Sequence, residues 1–398
     1  MSNTILTPTA VTRKALAILH QKLSFIGSIN RQYDDSFANA GAKIGSTLQI
    51  RNPNQFTVRT GKILAAQDVG ELSTALTMGT QKGVDVNFSS AELTLSLDDF
   101  ADRILEPAMA VLASNIEADA LNMANDVYNT VNGLGSAITL NKCLQARKML
   151  VDNLAPGSQR TLLINTQDNL DLVDSLKGLF QDSTQISKQY REGKVGTTAG
   201  FGDIYENTLL TSSTTGTALA TTGYTTSSAV TANGSTAVPV TGAATTFAVG
   251  DVVTFVGCNR VHPETKTDTG VLQQFVVTAA YAGGAGSISV SPAIYTTTGR
   301  QNVVAAGIAN GVAVVKVGGA SAVYKPSLAY HKDAFAFVTA DLLLPNGVDF
   351  KAREVYDGLS MRIVRAYDIN NDAFPCRIDM LYGYKTIRAQ LAARILSN

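Results

Sequence analysis

Apolar residues recur every three to four positions through one stretch of the chain, at Leu112, Ile116, Ala120, Met123, Val127 and Val131, with Met109, Ala124 and Tyr128 widening the stripe. That spacing marks one face of a buried helix. Asn115, Glu117, Asp119, Asn122, Asn125, Asp126 and Asn129 occupy the opposite, polar face. Pro107 suits a first turn, where its missing N–H has no partner to lose, and Asn132-Gly133 is a stop signal. The pattern therefore predicts a helix of roughly 39 Å at about 1.5 Å per residue, a spine long enough to span a domain, with Asp98 to Glu106 as its approach.

Shorter patterns surround it. Val11, Ala15, Ile18, Leu19 and Leu23 make Pro8 to Leu23 an amphipathic helix in an N-terminal arm. Ser46 to Arg59 alternates like a strand through Leu48, Ile50, Phe56 and Val58, interrupted at Asn52-Pro53. Alternation returns at Val84, Val86 and Phe88, and again at Leu93, Leu95 and Leu97, whereas Gly61 to Gly83 has little period of its own. This predicts a long two-stranded arm with a mobile tip. Such an arm cannot bury its apolar face alone and is expected to lie on a neighbouring subunit.

Beyond the spine, helices are predicted over Leu140 to Leu154, stopped by Ala155-Pro156-Gly157, and over Thr166 to Phe180, with a strand at Thr161 to Ile164 between them. The fold class is α+β rather than a repeating βαβ series. Thr211 to Thr246 is dominated by Thr, Ser, Ala and Gly, which reads as a disordered linker or as polar strands of an all-β module. The next fifty residues favour the module: a strand-turn-strand signal over Phe247 to Cys258 around Gly250-Asp251, then strands over Leu272 to Tyr281 and Ser287 to Tyr295. Ser212 to Val323 thus reads as an inserted barrel or sandwich. Mixed structure resumes at Tyr330 to Ala340, Leu359 to Tyr367 and Cys376 to Ile395.

Composition narrows the function. A chain of 398 residues can bury a large core and divide into two or three domains. Lysine plus arginine number 32 against 32 acidic residues, with no long basic run, which argues against a dedicated nucleic-acid binder. With 16% charged and 45% hydrophobic residues, copies repel one another weakly, a property that suits self-association. Cys143, Cys258 and Cys376 lie far apart and read as buried thiols in a reducing compartment. The N-terminus has no sufficient apolar h-region and no run approaches the ~18 residues of a membrane span, so the expectation is synthesis in a cytoplasm.

Candidate chemistry is sparse. His20, His262 and His331 occur singly, with no Cys, Asp or Glu at ligand spacing around them. Asp98-Asp99-Asp102 stands near a helix start, where acids favour the dipole more often than they catalyse. Walker A, GxGxxG and GxSxG motifs are missing. No catalytic, cofactor-binding or metal-ligating residue is assigned, and no enzyme is expected.

Several passages carry a family resemblance. LASNIEADALNMA, Leu112 to Ala124, is similar to the central helix of the tailed-bacteriophage major capsid proteins, the Hong-Kong-97-type shell fold. YREGKVGTTAGF, Tyr190 to Phe201, with the adjoining GDIYENTLLTSST, resembles the lead into the extra β domain of the short-tailed-phage subgroup. FAVGDVVTFVG, Phe247 to Gly257, resembles that domain's opening strands. YHKDAFAF, Tyr330 to Phe337, and CRIDMLYGYKTIRAQLAARI, Cys376 to Ile395, resemble the closing strands, in the expected order.

The resemblance implies an N-arm over 1–41, an extended loop over 42–91 and a peripheral domain with the spine over 92–132. It further implies an axial domain over 133–211 and 324–344, an inserted β domain over 212–323, and a return to the periphery over 345–398. It implies a subunit that assembles as hexamers and pentamers into an icosahedral head in the virion, with a separate scaffolding protein and a portal. Packaged double-stranded DNA would be contacted non-specifically, no membrane would be involved, and a decoration protein is left open. Some such shells cross-link Lys to Asn, for which Lys62 or Lys82 with Asn346 are the candidates, though nothing local selects them. The alternatives are an extracellular β-rich adhesin and an encapsulin-like bacterial shell protein.

Overall fold

In a computed structural model the described residues are 8–34, 47–64, 66–67, 72–88, 104–176, 199–348, 350–369 and 374–397. They divide into two units, and the strands are numbered β1 to β21 in chain order.

The first unit draws on Met1–Ile50, Ser73–Leu121 and Phe335–Ile387. Helix Pro8–Lys22 buries Val11, Ala15, Leu16 and Leu19 along one face, as its period predicts. Its six-stranded sheet runs β1 (Asn30–Asp34), β17 (Phe335–Ala340), β20 (Phe374–Thr386), β19 (Leu359–Arg365), β18 (Phe350–Tyr356), and β4 (Thr80–Phe88) also pairs with β20. β4 follows β20 from Phe88↔Phe374 to Thr80↔Tyr382. A Cβ on Gly83 would lie 2.5 Å from the Ile378 carbonyl oxygen, so this close pairing requires glycine there. β2 (Thr47–Asn52) pairs with β3 (Leu72–Thr77). Leu48 and Ile50 pack on Leu76 and Met78, which in turn meet Ala336, Val338 and Leu381.

Two expectations change here. The strand predicted to Arg59 ends at Asn52, because Pro53 cannot donate to a ladder, and Phe56 and Val58 are exposed rather than paired. Gly61 to Gly83 is not all tip: it holds β3 and the start of β4, ordered by tertiary burial of Leu76 and Met78 that no local period reveals. Leu93, Leu95, Leu97, Asp98, Asp99, Asp102, Phe180 and residues 190–198 lie outside the described residues.

The spine is also shorter than predicted. The α-helix spans Glu106–Leu121, 16 residues or about 24 Å, and continues as 3-10 helix over Asn122–Asp126 before Thr130–Asn132 forms β5. Met123, Ala124, Val127, Tyr128 and Val131 are all buried, so the burial prediction holds where the helix prediction fails. Asn122, Asn125 and Asp126 compete with helical hydrogen bonds, and β5 gains a parallel partner in β21 (Ala392–Leu396). Glu117 and Asn129, assigned to the polar face, are buried. Ser24 and the Phe25 N–H donate to Glu117 Oε1, and Asn129 Nδ2 donates to the Ala392 carbonyl at 2.9 Å.

The second unit comprises Arg51–Leu72, Asn122–Ala334 and Arg388–Asn398. Its five-stranded sheet runs β5, β21, β16 (Ser327–His331), β6 (Arg160–Ile164), β7 (Asp203–Glu206). β6, β16 and β21 are buried at every position, which accounts for their continuous apolar runs. β21 therefore belongs with this sheet and not with β20, contrary to the expectation that 345–398 return together. Helices Leu140–Asp152 and Thr166–Leu176 complete the layer.

The same unit contains a closed barrel, in which β10 (Ser235–Thr241), β13 (Gly286–Ile294), β12 (Asp268–Val277), β11 (Val252–Val261), β14 (Ala313–Lys316) and β9 (Thr221–Thr226) follow one another around the ring. Tyr224, Phe247, Phe255, Phe275, Ile288 and Ile294 fill it. β8 (Ser213–Thr214) and β15 (Val323–Tyr324) pair as a neck, Ser213 opposite Tyr324. The Thr/Ser-rich run is thus strand rather than linker. Two of its buried hydroxyls bond to backbone carbonyls, Thr222 to that of Val314 at 2.6 Å and Thr226 to that of Ala309 at 2.7 Å, whereas the buried Thr245 hydroxyl makes no hydrogen bond.

Candidate assembly site

After β2 the chain enters a loop whose two limbs are stapled by one side chain. Thr57 donates through its N–H and Oγ1 to Gln67 Oε1 at 2.8 and 3.1 Å, and Gln67 Nε2 donates to the Thr57 carbonyl at 2.6 Å. Beyond the staple Val58, Ile63 and Leu64 are 95%, 87% and 82% exposed. Phe56, just before it, is exposed as well. Large apolar side chains left in water on one loop are the kind of surface by which a protein contacts another.

The barrel is fixed to the five-stranded sheet by side chains at its neck end. Gln274 of β12 treats the Thr130 backbone as a strand would, accepting its N–H at 2.7 Å and donating to its carbonyl at 3.0 Å. Arg260 of β11 pairs with Asp152 at the end of its helix at 2.5 Å. Tyr128 packs against Val252 and Val276. Arg394 of β21 is wholly buried and donates through Nη2 to the Gly250 carbonyl at 2.8 Å, while its Nε and Nη1 make no hydrogen bond. Burial lowers its pKa, opposed by Tyr324 and Asp251. Asp251 accepts N–H donors from Gly216 and Ala248 at 3.0 and 2.9 Å, and Lys316 donates to the Gly216 carbonyl at 2.9 Å. Burial also lowers the Lys316 pKa, against the pull of Asp251. Asp251 and Lys316 thus fasten the segment leading into the barrel to the barrel itself, and of these three buried charges Arg394 is the one whose bond joins the barrel to the sheet.

Several of the residues weighed for chemistry make local structural contacts. His262 Nδ1 accepts the N–H groups of Glu264 and Thr265 at 3.3 and 3.2 Å, capping its turn. His331 is buried and accepts the Asp333 N–H; burial lowers its pKa, with Asp333 opposing. His20 lies on the first helix. Lys82 is ion-paired with Asp119 at 2.6 Å, and the same carboxylate accepts the Tyr382 hydroxyl at 2.5 Å. Lys62 lies in the exposed tip, and Asn346 in the bend after β17. The cysteines are free and buried, and burial pushes each thiol up to about 12.

One buried carboxylate escaped the sequence reading. Asp168 accepts the Ser397 hydroxyl at 2.6 Å and, on its other oxygen, that of Ser327; burial raises its pKa and the two serines oppose the rise. The local sequence marks only the helix start, where Asn165 accepts the Asp168 N–H at 2.8 Å, a capping spacing visible in Asn165-Thr166-Gln167-Asp168 that says nothing of the distant serines. Among the described residues no group of three His, Cys, Asp or Glu could hold a metal, and no helix is long and apolar enough to cross a membrane.

An exposed apolar tip and a barrel fixed to its sheet are features of a structural protein that offers a surface for contact. Residues 32–394 match the family model described as P22 coat protein, gene protein 5, and the chain belongs to this family. It is accordingly a major capsid protein, a subunit of the icosahedral phage head, and the adhesin reading falls away. No curated protein sequence matches the chain. Similar solved structures include Mycobacterium phage Che8, at 12% identity over 94% of this chain and 90% of that one with a TM-score of 0.47. The bacteriophage PhiM1 mature capsid is 11% identical over 94% and 87%, with a TM-score of 0.46. A virus-like particle from Pyrococcus furiosus is 7% identical over 97% of both chains, with a TM-score of 0.36. The assignment rests on the family match.

Proposed function

We propose that the chain assembles as hexamers and pentamers into a closed head of the Hong-Kong-97 type. A separate scaffolding protein and a portal would direct assembly in the host cytoplasm, and double-stranded DNA would be packaged inside and contacted non-specifically. The observation that carries this reading is the family match across residues 32–394. In this reading 212–323 is an inserted β domain that braces the subunit. Residues 1–41 form an N-arm, 42–91 an extended loop, and 92–132 with 345–387 the peripheral domain around the spine. Residues 133–211 and 324–344, joined by 388–398, form the axial domain. The balanced charge, 32 basic against 32 acidic residues, supports non-specific contact with DNA. Each contact between copies can be weak, because a closed shell multiplies it by symmetry. Co-expression with the candidate scaffold, followed by electron microscopy, tests the reading: closed particles with hexamer and pentamer facets are expected, and a stable monomer without particles refutes it.

A further inference from the structure

The stapled loop meets the barrel backbone to backbone at Gly299. The turn holding Gly299 is pinned on several sides. Asn233 Oδ1 accepts the N–H groups of Thr296 and Thr297 at 2.9 and 3.3 Å, Thr296 Oγ1 donates to the Thr231 carbonyl at 2.9 Å, and the Gln301 N–H donates to the Thr298 carbonyl at 3.1 Å. Thr298 has a φ of 76°, a left-handed value that a β-branched residue rarely adopts. Gly299 itself has no left-handed φ, so backbone conformation does not demand glycine at this position. Space does. A Cβ there would stand 2.2 Å from the Gln55 carbonyl oxygen, 2.7 Å from its carbon and 3.2 Å from the Phe56 nitrogen. All three are backbone atoms, which cannot swing aside as a side-chain end can. Two residues past Gln55 comes the Thr57–Gln67 staple, and beyond it the exposed Val58, Ile63 and Leu64.

We propose that Gly299 is the seat on which the barrel aims this loop, so that the barrel sets the direction in which Val58, Ile63 and Leu64 are presented to a second copy of the chain. The proposal rests on reading the tip as a contact between subunits. It makes Gly299 a positioning residue, acting through the loop backbone rather than by touching the neighbour.

The test compares Gly299→Val and Gly299→Ala with Gly319→Ala, a substitution whose Cβ meets nothing within 4 Å. Hydrogen exchange of the full-length unassembled subunit is expected to quicken across 53–58 in Gly299→Val, and less so in Gly299→Ala. Exchange in the barrel strands should match Gly319→Ala in both. With scaffold, Gly299→Val is expected to give open or misshapen particles where Gly319→Ala gives closed ones. Unchanged exchange in the loop overturns the seat; quickened exchange with normal closed shells overturns the aiming role. If Gly299→Val fails to fold, Gly299→Ala carries both readouts. Replacing Val58, Ile63 and Leu64 by Ser with Gly299 intact separates the two ideas: closed shells from that variant sink the tip reading, while loop exchange in the Gly299 variants still reports on the seat.

Discussion

Arg394 holds a guanidinium in a site that satisfies only part of it. Removing the side chain altogether leaves a cavity and frees the Gly250 carbonyl, so Arg394→Ala should cost about 3 kcal/mol in a denaturant melt of the subunit. Arg394→Met fills the space without burying unpaired N–H groups and should stay within about 1 kcal/mol of wild type. Equal losses for the two would mean the charge itself holds the neck. Asp168 gives a pH signature. Its folded pKa is raised by burial, so between the ordinary carboxylate range near ~3.9 and the raised folded value the native state binds a proton that the unfolded state lacks. Stability from this group is therefore full below the unfolded pKa and is lost as pH rises through the folded one. Melts of wild type against Asp168→Asn should show wild type gaining relative stability as pH falls toward ~4, and a flat difference would refute the linkage. Neither residue stood out in the sequence. Arg394 reads as one polar break in AARIL, and Asp168 as a surface acid early in a helix, because what buries each comes from segments far along the chain. The cysteines were legible, since isolated thiols among apolar neighbours have few other places to go.

At the scale of elements, Gln274 shows how one side chain can act as an extra strand. Gln274→Ala removes both bonds to Thr130 and should destabilise the barrel's docking by about 1–2 kcal/mol, read as faster exchange of the Thr130 amide with the barrel strands unchanged. Gln274→Glu keeps an acceptor for the N–H and loses the donor, and should fall between. Elements with a strong local period were readable. The first helix, the helix Leu140–Asp152 and the strand Arg160–Ile164 stand within a few residues of their predicted places. β11, β12 and β13 follow their turn signals. β3 and β18 were not predicted, and the spine was overextended, for a common reason. Apolar spacing reports burial, and burial at Val127, Tyr128 and Val131 continues unbroken while the backbone changes from helix to strand. The choice between those backbones was made by β21 and Gln274, both remote in sequence.

For the whole molecule, the balance of charge and the exposed tip point the same way, toward copies that meet without repelling. Replacing Val58, Ile63 and Leu64 by Ser should leave the melting of the subunit within about 0.5 kcal/mol of wild type, because these side chains are already in water, yet particles seen by electron microscopy should fail to close. A wider deletion of 61–83 is a poor test, since it removes β3 and part of β4 along with Leu76 and Met78. The assembly role itself could not be derived from chemistry in the sequence, because contact surfaces carry no motif. It became visible through the order of resembling passages and the family match.

The neck has a consequence for what the chain can carry. Ser213 and Tyr324 are antiparallel partners, as are Thr214 and Val323, so the backbone leaves for the barrel and comes back across a gap of only about 5 Å. A tight turn would bridge that gap, and so would any foreign domain whose own ends lie side by side. The parent sheet need not shift to accept the exchange, which makes this pair of short strands a ready socket for grafting a new module onto every copy in a shell.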